Sequence, residues 1–441
     1  MFDHPDMVIM VPNTFQQSED CLTLNVIRPA GYERRLLPVG VYIYGGGRHG
    51  GGSSDGRYNM SFLVAHAASV GLPFIGVSIN YRSSLWGFIA GESVQGTRNM
   101  NLGLQDQRLA LHWIQENIHA FGGDRTKVTI WGGSSGAVSV GRHLTAYGGR
   151  DDGLFRAAIL QSGTPIARTS FRTVDIDDLW QQLCIAAGCD TSDDQLECLR
   201  HKPFEELNAA FNDSADASSY MMASFSIPRL DGDFVQAFGS FDIKEGRFVK
   251  VPVLSGVVSS EAATFYPDTN DSLVLNPPVG SFTSKELLDR VKNVLGDIEV
   301  NAAQRLLCEQ FAVSAHCYSY IFNATPAWVQ DPRIGVPHGA EIAPLFQNLD
   351  GLGFEGNAFL EKSLGYYDMS RLMGTMWAGF ITALDPNVGL TRTPYRWPKY
   401  DLREPRVFIF SEEDIGLGIP DTHRQAAFQY IQAHFSGSFH K

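Results

Sequence analysis

The strongest constraint on the fold is a series of short segments that are apolar at nearly every position instead of at alternate ones. They are VGVYIYGGG (39–47), PFIGVSINY (73–81), KVTIWGG (127–133), FRAAILQSG (155–163), VPVLSGVV (251–258) and RVFIF (406–410). A strand with one wet face alternates apolar and polar residues, whereas a continuously apolar strand suits a sheet covered on both faces, which is mostly parallel. Between the second and third segments, NLGLQDQRLALHWIQENI sets Leu104, Leu111, Ile114 and Ile118 on one helical face. This strand–helix–strand alternation predicts a doubly wound α/β sheet with helices on both faces. Residues 165–250 and 270–400 read as longer helical insertions above the sheet. With no internal repeat and no low-complexity tract, residues 1–441 are expected to form a single domain.

Composition narrows the partners. A hydrophobic content of 44% and a charged content of 19% describe a globular chain able to bury a large core. The net charge of −13 is repelled by nucleic acid and by anionic membrane surfaces, and no apolar run approaches the ~18–20 residues of a membrane span. The start, MFDHPDMVIMVPN, carries Asp3 and Asp6 where a leader would carry basic residues, so no targeting segment is expected. Six cysteines are too few for a disulfide scaffold in 441 residues. Cys189 and Cys198 are close enough to close a short loop, and Cys308 and Cys317 have the same separation. Neither pair has the CxxC or paired-histidine pattern of a zinc site. Four Asn-x-Ser/Thr sequons, at Asn59, Asn212, Asn270 and Asn323, lean the other way from the missing leader, toward the secretory pathway.

The pattern G-x-S-x-G occurs twice, at GSSDG (52–56) around Ser54 and at GGSSG (132–136) around Ser134. Ser54 lies in the glycine-rich stretch GGGRHGGGSSDGR with no helical pattern directly after it. Ser134 follows the apolar segment KVTIW and precedes GAVSVGRHLTAY, which can wind into a helix. Strand, tight turn and helix are what a nucleophile elbow requires. Gly132 and Gly136 then avoid collisions with the neighbouring strand and helix, and centring the motif on Ser135 would put Ala137 at its last position, a poorer fit. The bland alternative is a glycine-rich connection; a phosphate loop is disfavoured because no Gly-Lys-Ser/Thr follows. YGGGR (44–48), at the end of an earlier strand, stands where backbone amides could bind an oxyanion, or is a flexible glycine loop.

Beyond these local readings, SEDCLTLNV (18–26), IYGGG (43–47), NYR (80–82), GLQDQRLALHWIQENIHAFGGD (103–124) and VTIWGGSSGAVSV (128–140) occur in an order that resembles the type-B carboxylesterase/lipase family, cholinesterase-like proteins with many fungal members. Weaker similarity continues through LECLR (196–200), PRLDG (228–232) and WPKY (397–400). The resemblance implies an α/β-hydrolase fold and a serine esterase. It places the triad acid on Glu261 in SGVVSSEAATF (255–265) and the catalytic histidine on His338 in GVPHGAEI (335–342). The order Ser134, Glu261, His338 is that of α/β-hydrolases, and Glu261 falls at the carboxyl end of an expected strand. The resemblance also assigns the oxyanion amides to Gly46, Gly47 and Ser135, so Ser135 becomes a donor and not a rival nucleophile. Among residues without assigned chemistry, His143 is expected to pack or cap, His49 to be solvated although it could touch substrate, and Asp106 to serve structural hydrogen bonding.

The sequence departs from the family pattern in places. SEDCL begins at Ser18 where the family has a preceding segment, so a shortened N-terminus is expected, without the usual disulfide partner of Cys21, without the loop that acts as a lid in the family's lipases, and with Glu19 deprived of an ion-pair partner. Gly133 stands where the family usually has Glu, and Arg48 replaces an aromatic. Arg48 either offers its charge to an anionic or polar acyl group or points to solvent, the latter being expected. These readings give an ester hydrolase acting on short-to-medium acyl esters with no metal or cofactor, and small-molecule esters as its partners. The competing reading is a non-catalytic homologue of the adhesion or binding type, or an inactive product. Resemblance and sequons favour secretion, the absent leader a cytoplasmic location.

Overall fold

The computed structural model describes residues 17–166, 176–213, 225–263, 290, 292–332, 334–391, 394–413, 415–416, 418–435 and 437. Nine strands form one sheet in the order β1-β3-β2-β4-β5-β6-β7-β8-β9. They are β1 (Leu24–Ile27), β2 (Leu37–Ile43), β3 (Ile75–Ile79), β4 (Gly123–Gly133), β5 (Ala157–Gln161), β6 (Val253–Val258), β7 (Cys317–Asn323), β8 (Arg406–Ser411) and β9 (Gly418–Pro420). From β3 to β8 every pairing is parallel, while β1 and β9 close the two edges antiparallel. This is the mostly parallel α/β arrangement that the continuously apolar segments predict, and each of the six overlaps a strand, with β2, β4 and β8 extending beyond the segment.

Both faces are covered. The helix Leu102–Asn117 buries Leu104, Leu111 and Ile114, and Ile118 is buried in the single turn that follows. The helices Met60–Ser69 and Leu364–Ala383 pack on one another, and the latter also packs against β2. A smaller core gathers Trp180, Leu183, Phe211 and Phe225 of the first insertion around Leu85 of the helix Ser84–Phe88.

The second insertion needs a correction. Residues 270–400 read as helical, yet they hold β7, paired with β6 on one side and β8 on the other. The segment CYSYIFN is buried on both faces, but tyrosine, serine and cysteine supply that burial, so its apolar signal is diluted. β1 and β9 were also not legible as strands; they are short, partly exposed edges, where burial does not demand apolar residues.

Disulfides join Cys189 to Cys198 and Cys308 to Cys317, as the spacing suggested, and Cys21 and Cys184 are free thiols. Among the described residues no helix is long and apolar enough to cross a membrane. Asn323 and Asn212 are exposed, Asn59 is half-buried and caps a helix, and Asn270 lies outside the described residues.

Candidate active site

The two G-x-S-x-G motifs are structurally unlike. Ser54 sits on an exposed turn well beyond β2. Ser134 is the single residue between β4 and the helix Ser135–Gly149, at φ 57° and ψ −128°. A non-glycine residue with positive φ is strained, and such strain persists where the surroundings hold it. Here the Ser134 N–H donates to the Gln161 carbonyl at the end of β5 (2.8 Å), and the Ser134 carbonyl accepts from Val138 in the first helical turn (3.0 Å). The turn forces close approach: a Cβ on Gly136 would lie 2.1 Å from the Ile43 carbonyl oxygen and 2.8 Å from that of Tyr44.

The glycine loop after β2 reaches the same place. A Cβ on Gly45 would lie 3.1 Å from the Cβ of Ser134, so the backbone of the loop passes directly beside the serine. Gly46 and Gly47 follow at φ 101° and 66°, conformations natural to glycine. The loop is anchored by Tyr44 and Tyr81, which stack with centroids 4.4 Å apart and each donate a hydroxyl to the other's carbonyl (3.1 and 3.0 Å). Ser135 is the first residue of the helix, where amides point outward at the positive end of the helix dipole.

Glu261 opens a short turn just after β6, and His338 lies in the loop between β7 and the helix Ile342–Phe346. The Ser260 N–H donates to the Val336 carbonyl (3.2 Å), drawing the two loops side by side. His338 Nδ1 and Glu261 Oε2 are 2.6 Å apart, with Glu261 2% and His338 6% exposed. The second oxygen of Glu261 accepts from the Val258 amide (2.9 Å), which fixes the carboxylate plane. Burial alone would lower the pKa of His338; the Glu261 charge and hydrogen bond outweigh it and hold the pKa above the ordinary imidazole value.

Several side chains differ from their sequence expectations. Arg48 does not point to solvent: it is 8% exposed, donates from Nε to the Ser226 carbonyl, and stands 5.7 Å over the Phe88 ring. Burial pushes its pKa down to about 10. His49 is not simply solvated either, since its Nδ1 lies 2.8 Å from Ser226 Oγ. No signal in the sequence links residue 226 to the glycine loop, because that contact spans an insertion. Two others are as expected: His143 is fully buried against Gln107 (3.1 Å), and Asp106 holds the Arg82 guanidinium through both oxygens (2.7 and 2.8 Å). Two residues not singled out from the sequence also converge here. Gln161, whose carbonyl holds the Ser134 amide, donates its side-chain amide to buried Glu341 (3.3 Å). The only available signal for Glu341 was its place three residues after His338.

Comparison with known proteins agrees with this architecture. The carboxylesterase family matches residues 4–277 and 279–427. Secreted lipase 1 of Botryotinia fuckeliana is 30% identical, with the alignment covering 95% of this chain and 78% of that protein. Secreted triacylglycerol lipase LIP1 of Gibberella zeae is 30% identical over 94% of this chain and 74% of its own length. Lipase 2 of Geotrichum candidum is 40% identical over 58% of this chain, and the match spans about half (47%) of that lipase. With a mostly parallel nine-stranded sheet and a match over nearly its whole length, the chain belongs to the carboxylesterase family of ester hydrolases.

Proposed function

We propose that the chain hydrolyses short-to-medium acyl esters through an acyl-enzyme on Ser134. His338 takes the hydroxyl proton as Ser134 attacks the ester carbonyl, and Glu261 orients the ring and stabilises the imidazolium. The amides of Gly46, Gly47 and Ser135 hold the tetrahedral oxyanion, each such donor contributing about 3–4 kcal/mol to the transition state. His338 then returns the proton to the departing alcohol, and the same ring activates the water that releases the acid. The observation that supports this reading best is the 2.6 Å contact between His338 and Glu261, two buried residues 77 positions apart. A second supporting observation is the strained turn at Ser134, flanked by the glycine loop.

Because His338 must be neutral to accept a proton and its pKa is raised, activity falls as pH drops through a midpoint above the usual imidazole value. Buried Arg48 packs with Phe88 and Ser226 at the end of the glycine loop, and we take its bulk there to favour shorter acyl chains. Two disulfides, and relatives described as secreted, support a secretory destination with glycans on exposed Asn212 and Asn323.

The test is hydrolysis of p-nitrophenyl esters from acetate to palmitate, with labelling by a fluorophosphonate. Butyrate is expected to be turned over faster than palmitate. Ser134→Ala should lower kcat by about five to six orders of magnitude and abolish labelling, while Ser54→Ala leaves both intact. Turnover or labelling that survives Ser134→Ala overturns the assignment, and a wild-type chain that neither labels nor turns over is a non-catalytic homologue.

A further inference from the structure

Close to the His338–Glu261 pair lies a second buried carboxyl with no part in the proposed acyl transfer. Glu341 is 1% exposed and precedes the helix Ile342–Phe346. One oxygen accepts from Gln161 Nε2 (3.3 Å), and the other, Oε2, has no hydrogen-bond partner among the described residues. Gln161 is itself fully buried, and its backbone carbonyl holds the Ser134 amide (2.8 Å). A continuous path therefore runs from the backbone of the nucleophile through Gln161 to Glu341, and along three residues of chain to His338.

The titratable groups that interact electrostatically with Glu341 come from several elements, and none lies on the helices Met60–Ser69 or Leu364–Ala383, which pack against the helix that follows it. They are Glu261 after β6, His338 on its own loop, Tyr320 on β7, Tyr42 on β2, and Tyr58 on the turn Gly56–Tyr58. Arg57 stands beside Tyr58 and is paired with Asp55 (2.6 Å). Among the groups facing Glu341, then, the one that can become positive and offset it is His338, which already serves Glu261. Two buried carboxyls beside one imidazole do not all ionise together without cost.

We propose that Glu341 is a positioning residue for the hydrolytic site: clamped by Gln161, it adds a second titratable carboxyl to the His338–Glu261 pair and thereby sets the pH at which His338 becomes a base. The proposal rests on the assignment of His338 as general base. Burial and the neighbouring Glu261 charge push Glu341 up to about 7, so its proton is exchanged in the same range as that of the imidazole. When Glu341 ionises, its charge stabilises the imidazolium; a neutral group in its place lets His338 lose its proton at lower pH.

The test compares wild type with Glu341→Gln, which keeps size and removes the charge. Two readouts are taken: the pH profile of kcat/KM for a soluble ester, and the titration of the His338 ring by NMR. In Glu341→Gln both midpoints are expected to fall by about half a pH unit or more, with activity on the alkaline plateau retained within about tenfold. Gln161→Leu keeps the backbone carbonyl that holds Ser134 and removes the side-chain amide, and with it the donor to Glu341. It should shift the midpoint in the same direction by less, and it serves as the second variant if Glu341→Gln does not fold. An unchanged His338 midpoint in the folded variants, with activity lowered equally at every pH, means a packing role and overturns the proposal. The NMR midpoint needs no turnover, so an inactive wild type sinks the hydrolytic reading while the ring titration still decides this one.

Discussion

At the scale of single residues, the elbow helix carries a histidine that the chemistry does not touch but acid stability does. His143 is completely buried, and burial, reinforced by the Arg108 charge, pushes its pKa down to about 3. A base with a depressed folded pKa takes its proton in the unfolded chain first, so its contribution to stability is present above about 6.5 and is lost as pH falls toward 3. Glu341 acts in the opposite sense. Its raised pKa means the folded state holds the proton more tightly, so its contribution is full below the ordinary glutamate value and is lost as pH rises through about 7. The two slopes oppose each other between roughly pH 4.5 and 6.5, and the wild-type curve alone does not separate them. Replacing His143 by Gln, which can still meet Gln107, removes one of them. The loss of unfolding free energy between pH 6 and pH 4 should then be smaller in His143→Gln, by at most about 1.4 kcal/mol per pH unit. Urea denaturation at several pH values measures it, and parallel curves for variant and parent refute it.

At the scale of elements, the join between β4 and the helix Ser135–Gly149 is fixed by backbone meeting backbone. Gly136 approaches the carbonyls of Ile43 and Tyr44, which cannot swing aside as a side chain would. Gly136→Ala is therefore expected to cost at least about 2–3 kcal/mol and to weaken fluorophosphonate labelling, because the strand that must retreat leads into the glycine loop. Gly50→Ala, where an added Cβ meets nothing within 4 Å, is the control. A Gly136→Ala protein with unchanged urea midpoint and labelling would show that the junction tolerates the methyl. This junction was legible in the sequence because a short motif dictates it: an apolar strand, a glycine-flanked serine and a helix pattern are contiguous. Six of the seven interior strands were legible for the same reason, since burial on both faces writes itself into consecutive residues. β7 was hidden because Tyr318, Tyr320 and Ser319 can be buried when their polar atoms or rings find neighbours supplied from elsewhere, such as the Trp397 indole that donates to the Ser319 carbonyl (2.9 Å). Contacts made between distant segments left no trace either. Arg48 looked like a surface arginine because the carbonyl that accepts from it belongs to Ser226, and Gln161 and Glu341 are paired only once β5 and the histidine loop are in place.

At the scale of the whole molecule, the question is whether the insertion helices fold with the sheet or apart from it. Their core, around Trp180, Leu183, Phe211 and Phe225, is small, and an isolated cluster of this size does not outweigh the entropy of ordering its chain. It is also tied to the main body by polar contacts. Asn101, at the start of the helix Leu102–Asn117, bonds the backbone of Arg229 in both directions (2.8 and 2.9 Å), and Ser226 meets both Arg48 and His49 beside the glycine loop. We accordingly expect the chain to unfold as one α/β unit, with the disulfide Cys189–Cys198 stabilising the whole and not only its own neighbourhood. Cross-linking cysteines nine positions apart removes about 2–3 kcal/mol of chain entropy from the unfolded state. Spread over the unfolding entropy of 441 residues, that is about 2–3 °C in Tm. Calorimetry of the Cys189→Ser, Cys198→Ser double variant should show one transition displaced by that amount, with labelling at Ser134 lost in step with the heat signal. A separate low-temperature transition that leaves labelling at Ser134 intact would instead make the insertion an independent folding unit, and would loosen the argument that Ser226 holds Arg48 in place.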